Sequence, residues 1–137
     1  MTVSIETGLT LLEEFRQKLS DAGIEAQCFL TGSTAFNGSG NDADIVAYAK
    51  EDMRDALHAY LCANFSHCGE GSYGMQEARS VWVRDQVNII HAHTGEEAGA
   101  WANACVLCMD IVREGKQPIS KELRVRIHKA CRGEYLV

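Results

Sequence analysis

Residues 29–46 read Phe-Leu-Thr-Gly-Ser-Thr-Ala-Phe-Asn-Gly-Ser-Gly-Asn-Asp-Ala-Asp-Ile-Val. An apolar run stops at Gly32-Ser33, a loop of small residues follows, and Asp42 and Asp44 flank one alanine at the head of a second apolar run. On a strand, residues two apart project to the same face, so the two carboxylates stand side by side. Like charges that close repel, and a divalent cation is the ordinary relief. The stretch therefore predicts two strands joined by a loop that carries a metal-and-phosphate site.

The chain around it is 137 residues long, the size of one domain. With 46% hydrophobic residues and one proline it has the means to bury a core. No apolar run reaches the roughly 20 residues that span a bilayer. The opening Met1-Thr2-Val3-Ser4-Ile5-Glu6 lacks a basic stretch followed by an apolar one, so no secretory signal is expected. The six cysteines then read as reduced thiols of a cytoplasmic protein rather than a disulfide frame. Charge is uneven: residues 1–112 carry 6 basic and 16 acidic side chains, residues 113–137 carry 7 and 3. An acidic body repels polyanions at long range, which excludes a broad nucleic-acid surface, while the basic end can attract phosphate locally.

Periodicity supplies the remaining elements. Leu9, Leu12, Phe15 and Leu19 recur at helical spacing between Val3 and Ala22, and Gly23 is the stop. Glu25–Leu30 and Ala43–Ala49 read as strands, with Thr31–Asn41 a loop between them. Glu51–Phe65 reads as a helix burying Met53, Leu57, Tyr60 and Leu61, with Glu51 and Asp52 in its first turn. Ser66–Gln76 is glycine-rich and irregular. Ser80–Arg84 and Gln86–Ala92 are two strands with a very short turn, or one bent strand. Thr94 and Glu97 make a capping-box pattern for a helix carrying Ala98, Trp101, Cys105, Cys108 and Val112. Ser120 caps a last, basic helix with Leu123, Ile127 and Ala130 inward. The order α-β-β-α-β-β-α-α predicts an α+β domain, not an alternating doubly wound one.

With that order in place, Gly32-Ser33 followed by Asp42-Ala43-Asp44 resembles the nucleotidyltransferase superfamily, the polymerase-beta-like fold. The resemblance runs from about Ile24 to His93, with a loop of eight residues, Thr34 to Asn41. The helices beyond resemble those of small stand-alone members, bacteriophage ones included. It implies a small mixed sheet flanked by helices. Gly32 and Ser33 would hold nucleotide phosphates, and Asp42 and Asp44 would bind Mg²⁺ or Mn²⁺ bridging an NTP. The implied activity is transfer of a nucleoside monophosphate to a hydroxyl on an RNA 3′ end, a small molecule or a protein. The family's third carboxylate, from a later strand, falls by register on Asn88, an amide that is a poorer ligand for a hard cation and no base at neutral pH. Asp85, three residues earlier, faces away from Asn88 on a regular strand and would need a bend or bulge to reach the site. Two functions stay open: a transferase in which Asp85 completes Asp42 and Asp44, or an inactive module that binds nucleotide or a protein partner.

Other residues carry weaker signals. Arg79 and Arg84 flank a strand near the site, as phosphate contacts or as edge charges that discourage sheet pairing. Lys121, Arg124, Lys129 and Arg132 either meet a triphosphate or form the solvated face of the last helix. Tyr73 and Trp82 either stack on a base or pack. His91 and His93 share a strand face and could take a transition metal with Cys62, His67 or Cys68. Cys105 and Cys108 read as core thiols.

Overall fold

The strand that carries Asp44 lies inside the sheet. The computed structural model describes residues 2–69 and 80–133. In chain order the elements are β1 (Val3–Ser4), α1 (Ile5–Asp21), β2 (Gln27–Thr31), α2 (Gly32–Asn37), β3 (Ser39–Gly40), β4 (Ala43–Tyr48), α3 (Glu51–Asn64), β5 (Ser66–Gly69), β6 (Val81–Arg84), β7 (Val87–Ala92), α4 (Gly95–Gly115) and α5 (Lys121–Cys131). The sheet order is β2-β4-β7-β6-β5, and β1 pairs with β3 apart from it. Within the five-stranded sheet β4 and β7 are parallel and the other neighbours antiparallel. This is the α+β architecture with a mixed sheet that the sequence predicts, extended by β1, α2, β3 and β5.

Alternation along β4 decides what each face meets. Ala43, Ile45 and Ala47 point toward α1 and α3, where Phe15, Leu57, Leu61 and Ile89 are buried with them. Val46 points the other way, into a cluster with Val81, Ile90, Ala92 and Trp101 of α4. All residues of β4 but Tyr48 are buried, as a strand covered on both faces requires. Asp44 falls on the α4 face, beneath the second cluster.

The helices follow their sequence signals with two exceptions. In α1 the buried stripe is Gly8, Leu12, Phe15 and Leu19, and Leu9 is exposed. Gly8 takes the inward place because a side chain there would press on Leu30 and Thr34. In α5 Ala130 is exposed and His128 is the buried residue. Residues 121, 124, 125 and 128 share one helical face, so α5 turns that face inward beside the Leu123 and Ile127 stripe. The caps are as read: Thr94 Oγ1 accepts from Glu97 N at 3.1 Å and Ser120 Oγ from Leu123 N at 3.2 Å. Glu97 departs from a closed box, since its carboxylate accepts from His93 N at 3.0 Å.

The stretch read as irregular begins with the strand β5, and its continuation to Gln76, with Tyr73 and Arg79, lies outside the described residues. None of the six cysteines is bridged. Burial pushes the Cys28 and Cys108 thiols up to about 11, which keeps them protonated at neutral pH. Among the described residues no helix is long and apolar enough to cross a membrane.

Candidate functional site

One row of residues crosses four strands on the α4 side of the sheet. Thr31 of β2 pairs with Asp44 of β4, Asp44 with Asn88 of β7, and Asn88 with Val83 of β6. Asp44 is only 6% exposed. A carboxylate buried that far requires partners, because desolvating an unpaired charge costs several kcal/mol. Asn88 supplies one: its Nδ2 donates to Asp44 Oδ1 at 2.9 Å. The register that the sequence suggested for Asn88 is thus the register the strands adopt.

Gly32 presses on the other carboxylate oxygen. Its φ is +77°, a left-handed conformation that glycine tolerates and other residues rarely do. A Cβ built there would lie 2.1 Å from Asp44 Oδ2. The Gly-Ser turn and the second aspartate are therefore one packed unit. Thr31 and Gly32 also end the strand abruptly: the expected loop starts as the six-residue helix α2. Its Thr34 hydroxyl donates to the Asp42 carbonyl at 2.6 Å, while Ala43 N donates to Gln86 O at 2.8 Å. Asp42 is half-buried between those two anchors, just ahead of β4. Ser33 is half-buried against Gly40, where a side chain would come 2.4 Å from Ser33 Oγ.

Two residues assigned from sequence stand elsewhere. Arg84 alternates onto the α3 side of the sheet, opposite Asn88. Its guanidinium lies 5.1 Å from the Phe65 ring centroid and donates to Asn64 O at 3.4 Å. Asp85 occupies the turn between β6 and β7 with φ +53° and is exposed. With Arg84 it borders a groove walled by Phe15, Tyr60 and Phe65. Among the described residues no set of three acidic, histidine or cysteine side chains is gathered for a metal, Asp42, Asp44 and Asp85 included.

What sequence reasoning left undecided is the basic helix. Lys121, Arg124 and His128 of α5 line a narrow cleft together with Thr31, Gly32 and Trp101. Lys129 and Arg132 do not line it. His128 is buried, with its ring 3.9 Å from that of Trp101, and desolvation lowers its pKa to about 4. The cleft is part open to solvent and offers about 30 Å³ to water centres, room for a water or two and not for a nucleobase. Helical spacing of 121, 124 and 128 was the signal for this face. It was masked by the apolar stripe at Leu123 and Ile127.

A clamp across the chain holds α5 in place. Asn37, the last residue of α2, accepts from Ile119 N at 2.8 Å and donates to Ile119 O at 3.2 Å. This ties the entry of α5 to the helix that begins at Gly32. Gly32 is common to two groups: Asp44, held by Asn88, packs against it, and it lines the cleft with Lys121 and Arg124. Such a set can hold a phosphate ester directly through the cations, and through a hard divalent ion at the carboxylates.

No protein-family model matches the chain, and no curated protein matches its sequence. A solved structure does: the crystal structure of conserved protein GrpB from Enterococcus faecalis, at 12% identity, with all of both chains covered and a TM-score of 0.61. At that identity the likeness concerns architecture: over its whole length, the chain has a fold like that of GrpB.

Proposed function

We propose that this protein is a nucleotide-binding module on a nucleotidyltransferase-like fold, one that holds a phosphate-bearing ligand without transferring it. The observation that carries the reading is the hydrogen bond from Asn88 to Asp44. An amide cannot take a proton from an attacking hydroxyl at neutral pH, and here its N–H already engages the carboxylate that a transferase would give to metal. Asp42 and Asp44 retain the donor chemistry for one Mg²⁺, which ordinarily uses one or two carboxylates and completes its shell with phosphate and water. Such an ion would neutralise ligand charge beside Gly32, on which Asp44 packs and which lines the cleft. Lys121 and Arg124 would meet the phosphates from α5, and Gly32 and Ser33 from the turn. The base would lie outside the cleft, which is too small for it.

Incubation with each α-labelled NTP, Mg²⁺ or Mn²⁺ and a pool of RNA and protein acceptors separates the two functions. The expected result is no label transfer, alongside nucleotide binding that weakens in Asp44→Asn and Arg124→Gln. Transfer that disappears in Asp44→Asn would restore the enzymatic reading.

A further inference from the structure

On the opposite side of the sheet from Asp44, four of the five histidines gather around α3. His91 and His93 stack with ring centroids 4.4 Å apart. His58 of α3 lies 6.4 Å from His91 and 5.4 Å from Trp82, and His67 of β5 lies 4.7 Å from Trp82. His91 is 1% exposed and Trp82 6%, while His58 and His67 are exposed and open the cluster to solvent.

Among the described residues, three side chains here hold buried nitrogens with no hydrogen-bond partner: both ring nitrogens of His91, the indole Nε1 of Trp82 and Nε of Arg54. Arg54 is near enough to His91 to oppose its protonation. A buried donor left unpaired costs roughly 1–3 kcal/mol, so orphans clustered in one place point to an absent partner.

The chemistry of the orphans selects that partner. Imidazoles alone would suit a transition metal. Indole N–H only donates, however, and a guanidinium is a cation, so both oppose a metal ion. No metal-holding group is assembled among the described residues either. What the three share is N–H donation beside positive charge. The groups facing His91 are Arg54 and His58 on α3 and His93 beyond β7. Beside them lie His67 on β5 and Cys62, whose Sγ is 3.4 Å from His58 Nε2. At the margin Ser80 Oγ and His93 Nε2 are 2.6 Å apart, and Glu97 of α4 accepts the His93 backbone N–H. We infer that the Arg54–His58–Trp82–His91 cluster is a second ligand site, built for a small phosphate-type oxyanion.

Titration of the ¹⁵N-labelled full chain with sulfate, inorganic phosphate and glycerol phosphate tests this, read at the indole N–H signals and the histidine ring nitrogens. Saturable shifts are expected at Trp82 and His91, with a concentration dependence separate from that of Trp101, which reports the cleft of Lys121 and Arg124. Sulfate keeps one charge state between pH 6.0 and 7.5, so it isolates the protein's contribution. Its binding should be several-fold tighter at pH 6.0, since a bound anion favours the imidazolium forms. Arg54→Gln should weaken binding about tenfold, the equivalent of one charge-assisted hydrogen bond. Exposed His58→Gln should weaken it several-fold without threatening the fold, and Asp44→Asn should bind like the parent. Tighter binding of the ester than of phosphate identifies an ester ligand, and equal binding identifies the free anion. Absence of shifts at about 50 mM anion, or shifts unchanged in both Arg54→Gln and His58→Gln, overturns the assignment. So does loss of binding in Asp44→Asn.

Discussion

At the scale of single residues, the site is a set of contacts that leave no slack. Gly32 meets Asp44 through a missing side chain and a positive φ. Gly32→Ala should therefore destabilise the protein by about 1–3 kcal/mol, from strain plus the clash. Gly99 sits within α4 with nothing within 4 Å of a Cβ, so Gly99→Ala should be neutral or stabilising by up to about 1 kcal/mol. Urea unfolding of the pair checks the contrast. Asn88→Asp puts a carboxylate where an amide donates to Asp44. That variant should melt lower than the parent in chelator, and Mg²⁺ or Mn²⁺ should recover more of its stability than of the parent's. Equal melting shifts with and without cation would contradict the placement. The strands that carry Asp44 and Asn88 were legible because apolar alternation is a local property, while their side-by-side register came from the family resemblance. Asp85 was not, because whether a short turn bends a side chain back to a neighbouring strand depends on its backbone conformation.

At the scale of elements, six residues beginning Gly32-Ser33 form α2 where a loop was expected. So short a segment shows no helical period, and its glycine start reads as loop chemistry. What fixes it is tertiary: the Asn37 clamp on Ile119 and the packing of Thr34, Ala35 and Phe36. Asn37→Ala removes both clamp hydrogen bonds and should cost about 1–3 kcal/mol. It should also raise amide exchange at the start of α5, because the residues that α2 holds are those preceding its cap. Unchanged exchange there would show that α5 is held by α4 alone. The same dependence explains the misread face of α5. Its apolar stripe is real, yet Lys121, Arg124 and His128 turn toward α2 and α4 through contacts that no local pattern encodes.

At the scale of the molecule, burial of two histidines couples stability to pH. Desolvation is the leading cause in both, holding His91 and His128 to about 4 against 6.5 for a free imidazole. His91 is lowered further by His93, His58 and Arg54. The unfolded chain binds these protons first as pH falls. The contribution is thus fully present above about pH 6.5 and is lost as pH drops through about 4, at up to about 1.4 kcal/mol per pH unit for each group. Denaturant titrations across that window should show a shallower slope in His128→Phe, and an unaltered slope would show that His128 does not carry the dependence. The architecture itself was readable from the order of periods and turns, and the whole-length likeness to GrpB supports it. The basic C-terminal segment was readable as a charge imbalance, but its role depends on which helix face meets Gly32.

In the proposed function Asp44, Gly32, Lys121 and Arg124 hold a nucleotide's phosphates. Calorimetric titration of the full chain with each NTP in Mg²⁺, set against Asp44→Asn, tests it most directly. Saturable binding is expected, weakened at least about tenfold by the substitution, close to 1.4 kcal/mol. Absence of binding by every NTP, or binding that Asp44→Asn leaves untouched, would contradict it.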